Sequence, residues 1–149
     1  MPTIFAVEEL LGRELSWPNA INVDKIGEGA WSTAFGFQAG ERQLVIRLGQ
    51  HGSDFRRDQE MARLAAPGLP IPEVLDVGQT TRSGPAAGLH YCVSAKAFGT
   101  PLESCSTEEW PTIAEHVADS LEAMRVWTLD SQPTARPNAT SCRGTTNCS

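Results

Sequence analysis

The sequence has no Cys-x-x-Cys pair, and no histidine follows its last two cysteines, Cys142 and Cys148. Structural zinc sites need closely spaced Cys and His ligands, so none is expected here. Cys92 and Cys105 complete the set of four, and all are read as reduced thiols. Cys92, inside an apolar run, reads as a small buried hydrophobe. No apolar stretch approaches the roughly 18–20 residues of a membrane helix, which argues against a membrane partner. The N-terminal stretch from Met1 to Gly12 has no basic patch and carries Glu8 and Glu9, so no secretory signal is read and a cytoplasmic location is expected. Basic side chains are also scarce: 12 Lys and Arg against 18 Asp and Glu leave a net charge of −6. A general nucleic-acid binder needs many cations against phosphate, so no nucleic-acid partner is expected. No internal repeat is visible.

What is present is enough for one domain. The chain has 149 residues, 40 % of them hydrophobic, which can support a core. Four segments follow from the pattern. Residues 1–20 are a helical lead-in, with Phe5, Val7, Leu10 and Leu11 at helical spacing. Residues 21–100 carry most of the strand and turn signals, and residues 101–130 carry a final helix. Residues 131–149 contain no Val, Ile, Leu, Met, Phe, Tyr or Trp and are expected to be a disordered tail. Its two sequons, at Asn138 and Asn147, read as accidents of a Thr/Ser-rich composition.

Within the middle, Ile21–Ile26, Ser32–Phe37 and Leu44–Leu48 read as strands, the last two joined by a turn at Ala39-Gly40-Glu41. Ser53 or Asp54 can cap a helix running to about Ala66, where Pro67, Gly68, Pro70 and Pro72 force an extended path. Val74–Val77 and Leu89–Val93 are further strands around a polar turn at Gln79–Gly88. Thr107 is the expected cap of the last helix, whose apolar side is Ile113, Val117, Leu121, Met124 and Trp127.

Two features carry chemistry. Gly27 and Gly29 break the first strand pair, and a glycine turn there leaves backbone N–H groups free to approach phosphate oxygens. The setting is strand–loop–strand, so it is neither a Walker loop nor a Rossmann turn. Arg47 then places a cation among Val45, Ile46 and Leu48, where burial demands a partner. The following helix offers Asp58 and Glu60. Glycine hairpin, third-strand cation and helix carboxylate occur in the order of a kinase upper lobe.

Two strings add to this order: LPIPEVLDVG from Leu69 to Gly78, and YCVSAKAFG from Tyr91 to Gly99. With them the stretch from Ile21 to Trp127 resembles the aminoglycoside phosphotransferase family, and within it the hygromycin branch. The resemblance implies an α+β fold: a protein-kinase-like N-terminal lobe with about five mainly antiparallel strands, one packed helix, and the start of a truncated C-terminal lobe. It implies that Gly27 and Gly29 lie over ATP phosphates. Arg47 would stand where most kinases have lysine, paired with Glu60, or with Asp58 as close competitor. Ser94 would back the adenine pocket, the Ala95 carbonyl and Ala97 N–H would bond the adenine edge, and Gly99 would let the chain cross to the second lobe. Nucleotide and aminoglycoside are the implied partners, and ATP with magnesium the implied cofactors.

The family's catalytic His-x-Asp loop and metal-binding Asp lie in a second lobe, and no match for them stands in this sequence. His116-Val117-Ala118-Asp119 has the wrong spacing, and His51 and His90 read as incidental. No catalytic residue and no metal ligand are therefore nominated. The expected function is ATP-dependent phosphorylation of an antibiotic hydroxyl in a truncated, inactive form. The alternatives are a non-catalytic nucleotide- or protein-binding module, and a small kinase completed by another chain.

Overall fold

Alternation along the third strand sorts the two faces of the sheet. Leu44, Ile46 and Leu48 are buried on one side, while Val45 and Arg47 face the other and are only partly covered. The computed structural model describes residues 2–64, 69, 71–81, 86–100 and 102–130. Its elements are α1 (Ile4–Arg13), β1 (Ala20–Glu28), β2 (Ser32–Ala39), β3 (Arg42–Gly49), α2 (Gly52–Leu64), β4 (Val74–Gln79), β5 (His90–Ala95), a 3-10 turn at Leu102–Ser104, and α3 (Trp110–Asp130). The five strands form one sheet in the order β1-β2-β3-β5-β4, with every neighbouring pair antiparallel. This is the α+β architecture expected. Gly40 makes the β2–β3 turn at φ +63°, a left-handed conformation that glycine adopts without a Cβ penalty.

The sequence reading allowed one packed helix, and the sheet has one on each face. Helix α1 covers the face of Leu44, Ile46 and Leu48. Its Val7, Leu10 and Leu11 join Phe35, Phe37, Tyr91 and Val93 in the main core. The Thr3 hydroxyl caps α1 by accepting from the Ala6 N–H at 3.2 Å. At its other end the Glu14 carboxylate accepts from the Thr81 N–H at 2.9 Å, tying α1 to the segment after β4. The lead-in is thus part of the core. Helix α2 lies against β4 and β5 on the opposite face, anchored by the buried Phe55. It begins at Gly52, ahead of the expected Ser53 or Asp54, and a Cβ at Gly52 would run into the His90 ring.

Helix α3 starts at Trp110, three residues past the expected Thr107 cap. The Glu109 carboxylate accepts from the Ser106 N–H at 2.8 Å and from its hydroxyl at 2.9 Å, which holds the entry turn instead. These bonds keep the Glu109 carboxyl below its ordinary range. Trp110, Val117, Leu121 and Met124 stay exposed along the helix. No helix among the described residues is long and apolar enough to cross a membrane. The expectations for the tail from Ser131 to Ser149, including its disorder, and for Pro67, Gly68 and Pro70 lie outside the described residues.

Candidate functional site

The sheet face away from α1 forms the roof of an open cleft of about 590 Å³. Ile26 and Val45 cover it, Arg47, Asp58 and Met61 close its inner end, and Ser94 to Ala97 make its edge. Ile71, Pro72 and Val74 complete the lining. The roof depends on a missing side chain. Ile26 Cγ2 lies 3.2 Å from where a Gly36 Cβ would stand, so glycine lets the isoleucine lie across β2. Register sets the rear: Ser94 of β5 stands opposite Val45 of β3 and Val74 of β4.

Arg47 reaches from β3 to α2 and donates to the Asp58 carboxylate at 2.6 Å. It also donates to the Cys92 sulfur at 3.5 Å, and its guanidinium sits 5.3 Å from the Phe55 ring centre. Burial works against the charge here. The hydrogen bonds to Asp58 and Cys92, with the negative charge of Asp58, outweigh it and hold the guanidinium above its ordinary value. Burial pushes the Cys92 thiol up, and Arg47 only partly offsets this. Cys92 is fully buried, as expected.

The carboxylate expected at Glu60 is corrected by the structure, because the partner is Asp58 and Glu60 is exposed. Helical geometry gives the reason. At about 100° per residue, Asp58 lies about 60° around the helix from the buried Phe55, whereas Glu60 lies about 140° away.

Gly27 and Gly29 lie at the β1–β2 hairpin, and the Gly29 N–H closes it on the Ser32 carbonyl at 2.9 Å. Neither glycine is demanded by the fold. A Cβ at Gly27 would meet Ala34 Cβ at 4.0 Å and one at Gly29 the Ser32 carbonyl at 3.8 Å, both ordinary contacts. Gly49 is different: a Cβ there would stand 2.6 Å from the Trp31 carbonyl oxygen, so the hairpin tip rests directly on the end of β3. The Trp31 ring meets His51 edge-on at 5.4 Å.

At the edge, the Ala95 N–H donates to the Glu73 carbonyl at 2.8 Å and the Lys96 N–H to the Gln43 carbonyl at 3.0 Å. The Ala97 N–H has no hydrogen-bond partner among the described residues. Lys96 lies over the Phe98 ring at 5.8 Å, and Gly99 turns the chain at φ +147°. Arg47, Ser94, Ala95 and Ala97 are thus brought to one cleft, whereas Gly27, Gly29 and Glu60 are not among its lining. Ile26, Val45, Met61 and Lys96 line it and were not singled out from sequence. The period-2 alternation that places Val45 beside Arg47 was the available signal. Met61 had none, because its side follows from how α2 docks. Among the described residues there is no group of three or more His, Cys, Asp or Glu suited to a metal ion. An apolar slot with an ion pair at one end and backbone polar groups at the edge can hold a flat heteroaromatic ring and favour an anionic substituent.

No family model matches the chain. It is 36 % identical over 101 residues to hygromycin-B 4-O-kinase of Escherichia coli, covering 67 % of this chain and 28 % of that protein. Among solved structures, aminoglycoside phosphotransferase APH(4)-Ia superposes with a TM-score of 0.72 at 32 % identity, covering 81 % of this chain and 39 % of that one. A thermostable mutant of it, in ternary complex with AMP-PNP and hygromycin B, gives 0.68 at 32 % identity over 79 % and 38 %. The chain therefore spans between about a quarter and two fifths of the length of these proteins.

Proposed function

We propose, from the premise that this chain carries the N-terminal lobe of the aminoglycoside phosphotransferase family, that its cleft binds the adenine end of ATP. The observation that carries the reading is the Arg47–Asp58 pair at the inner end of a cleft whose other edge is the Ser94–Ala97 segment. The base would enter under Ile26 and Val45, with Ala97 N–H donating and the Ala95 carbonyl accepting. Arg47, held by Asp58, would present its remaining N–H groups to phosphate oxygens. As a forked guanidinium it would bind two oxygens where an ammonium binds as a point charge. Gly27 and Gly29, with no Cβ and no fold requirement for glycine, would let backbone N–H groups close over the phosphates.

In the whole protein of this family type the acceptor would be an aminoglycoside hydroxyl, with hygromycin B the first compound to try. These 149 residues contain no His-x-Asp base for that hydroxyl, and among the described residues no group of three or more His, Cys, Asp or Glu stands together. No step is assigned to metal. Phosphoryl transfer rests on positioning and charge neutralisation, so the polypeptide by itself should bind nucleotide without transferring phosphate. With one side of the ligand uncovered, binding should be weak, near millimolar, or about 4 kcal/mol.

Purified protein incubated with ATP, magnesium and a panel of aminoglycosides including hygromycin B tests both parts. Nucleotide-dependent shifts of the Ala97 amide without phosphorylated antibiotic are expected. Product formed in proportion to protein and lost in Arg47→Ala would instead show an active kinase. A second reading, a protein-binding module, draws on the exposed Val117, Leu121 and Met124 of α3.

A further inference from the structure

Helix α2 has two flanks, and only one of them faces the cleft. At about 100° per residue, Asp58 lies about 60° to one side of the buried Phe55, while Gln59 and Arg56 lie about 40° and about 100° to the other. On that second side there is an open cavity of about 280 Å³ between α2 and strands β4 and β5. Arg56 and Gln59 form its helical wall, and Val77, Gln79 and His90 its sheet wall. Gln79 pairs with His90 and Val77 with Cys92, so their side chains share the face of the sheet that carries Arg47. The lining holds an arginine and a histidine but no carboxylate, in a chain with 18 acidic and 12 basic side chains. Glu60 lies further round the helix and is not in the lining. Among the described residues Arg56 has no ion-pair partner. Gln79 donates one amide N–H to the Gly88 carbonyl at 3.1 Å, which orients its amide and leaves a second N–H.

We propose that this cavity is an anion site for a phosphate group, free or carried as a small monoester. It is separate from the nucleotide cleft and does not depend on the nucleotide reading. The forked guanidinium of Arg56 can meet two oxygens, and Gln59, Gln79 and His90 can each add an N–H. These donors stand on two walls. A tetrahedral phosphate offers oxygens to both, whereas a carboxylate offers two in one plane. Val77 supplies carbon surface for the group that carries the phosphate. The bound anion would tie α2 to β4 and β5, and so stabilise the folded chain.

Titration of the nitrogen-15-labelled full chain with inorganic phosphate, phenyl phosphate and benzoate, at fixed ionic strength, tests this through amide shifts. Both phosphates should shift the Gly78 and Gln79 amides saturably, and benzoate should bind about tenfold more weakly than phenyl phosphate. Tighter binding of phenyl phosphate than of inorganic phosphate supports the site with a monoester as its ligand, and equal or weaker binding supports it with the free ion. Arg56→Gln should weaken phosphate binding by about tenfold. Arg57→Gln removes a cation about 160° from Phe55, on the solvent side of the same helix, and should leave binding unchanged. Both residues are exposed, so both variants should fold. An effect of Arg56→Gln no larger than that of Arg57→Gln overturns the proposal. So does benzoate binding as tightly as phenyl phosphate, and so does the absence of a saturable shift at Gly78 and Gln79.

Discussion

Arg47 shows how a charged side chain is kept in a sheet. Its side chain is 34 % exposed and that of Asp58 43 %, so water still screens the pair. A coupling of about 1 kcal/mol is expected from a double-mutant cycle of Arg47→Ala and Asp58→Ala, read by thermal or urea unfolding. Glu60→Gln in the same series should couple to Arg47 by about zero, because its side of α2 faces solvent. On the core face, Tyr91 donates to the Asp76 carboxylate at 3.1 Å. Burial first, then the negative charge of Asp76, pushes its phenol up to about 12. It is the chain's one tyrosine, so absorbance at alkaline pH reports it alone. The midpoint should lie near 12 in the folded protein and near 10 when unfolded. Between those values the folded state keeps a proton that the unfolded state has lost. This contribution to stability is therefore whole below about pH 10 and falls as pH rises toward 12. A native midpoint at 10 would show that Tyr91 is not held this way.

At the scale of elements, the β1–β2 hairpin and the end of β3 are fixed by contact between backbones. Gly49→Ala should destabilise the fold by about 1–3 kcal/mol, since its Cβ would meet the Trp31 carbonyl at 2.6 Å. Gly29→Ala has room and should stay within about 0.5 kcal/mol of wild type in the same unfolding experiment, while weakening nucleotide binding. If Gly29→Ala unfolds the protein, the glycine serves the hairpin and the phosphate role loses its support. The hairpin was legible in the sequence because Gly27 and Gly29 interrupt alternating strands. The requirement at Gly49 was not, because it arises where β3 passes beneath Trp31, a contact set by sheet pairing.

Over the whole molecule, one helix stands apart. Val117 is 46 % exposed and Leu121 58 %, on a helix that carries Glu115, Asp119 and Glu122 around them. Such an apolar stripe is expected to draw copies together as concentration rises, against the repulsion set by a net charge of −6. Val117→Lys with Leu121→Lys should reduce self-association in sedimentation while changing unfolding stability by no more than about 0.5 kcal/mol. A large loss of stability would mean that the stripe is packed within the fold in solution.

The sequence by itself determined the strands, their order along the chain, the amphipathic α1 and the cation in β3, because period-2 and period-3.6 patterns and glycine breaks are local properties of the chain. It also placed Ser94, Ala95 and Ala97 together, since they are neighbours on one strand exit. Only the tertiary structure decided that β5 lies between β3 and β4, which sets Ser94 opposite Val45 and Val74. It also decided that Arg47 chooses Asp58 over Glu60. Both carboxylates are within reach along the chain, and the choice depends on the rotation of α2 about its axis, fixed when Phe55 is buried against the sheet.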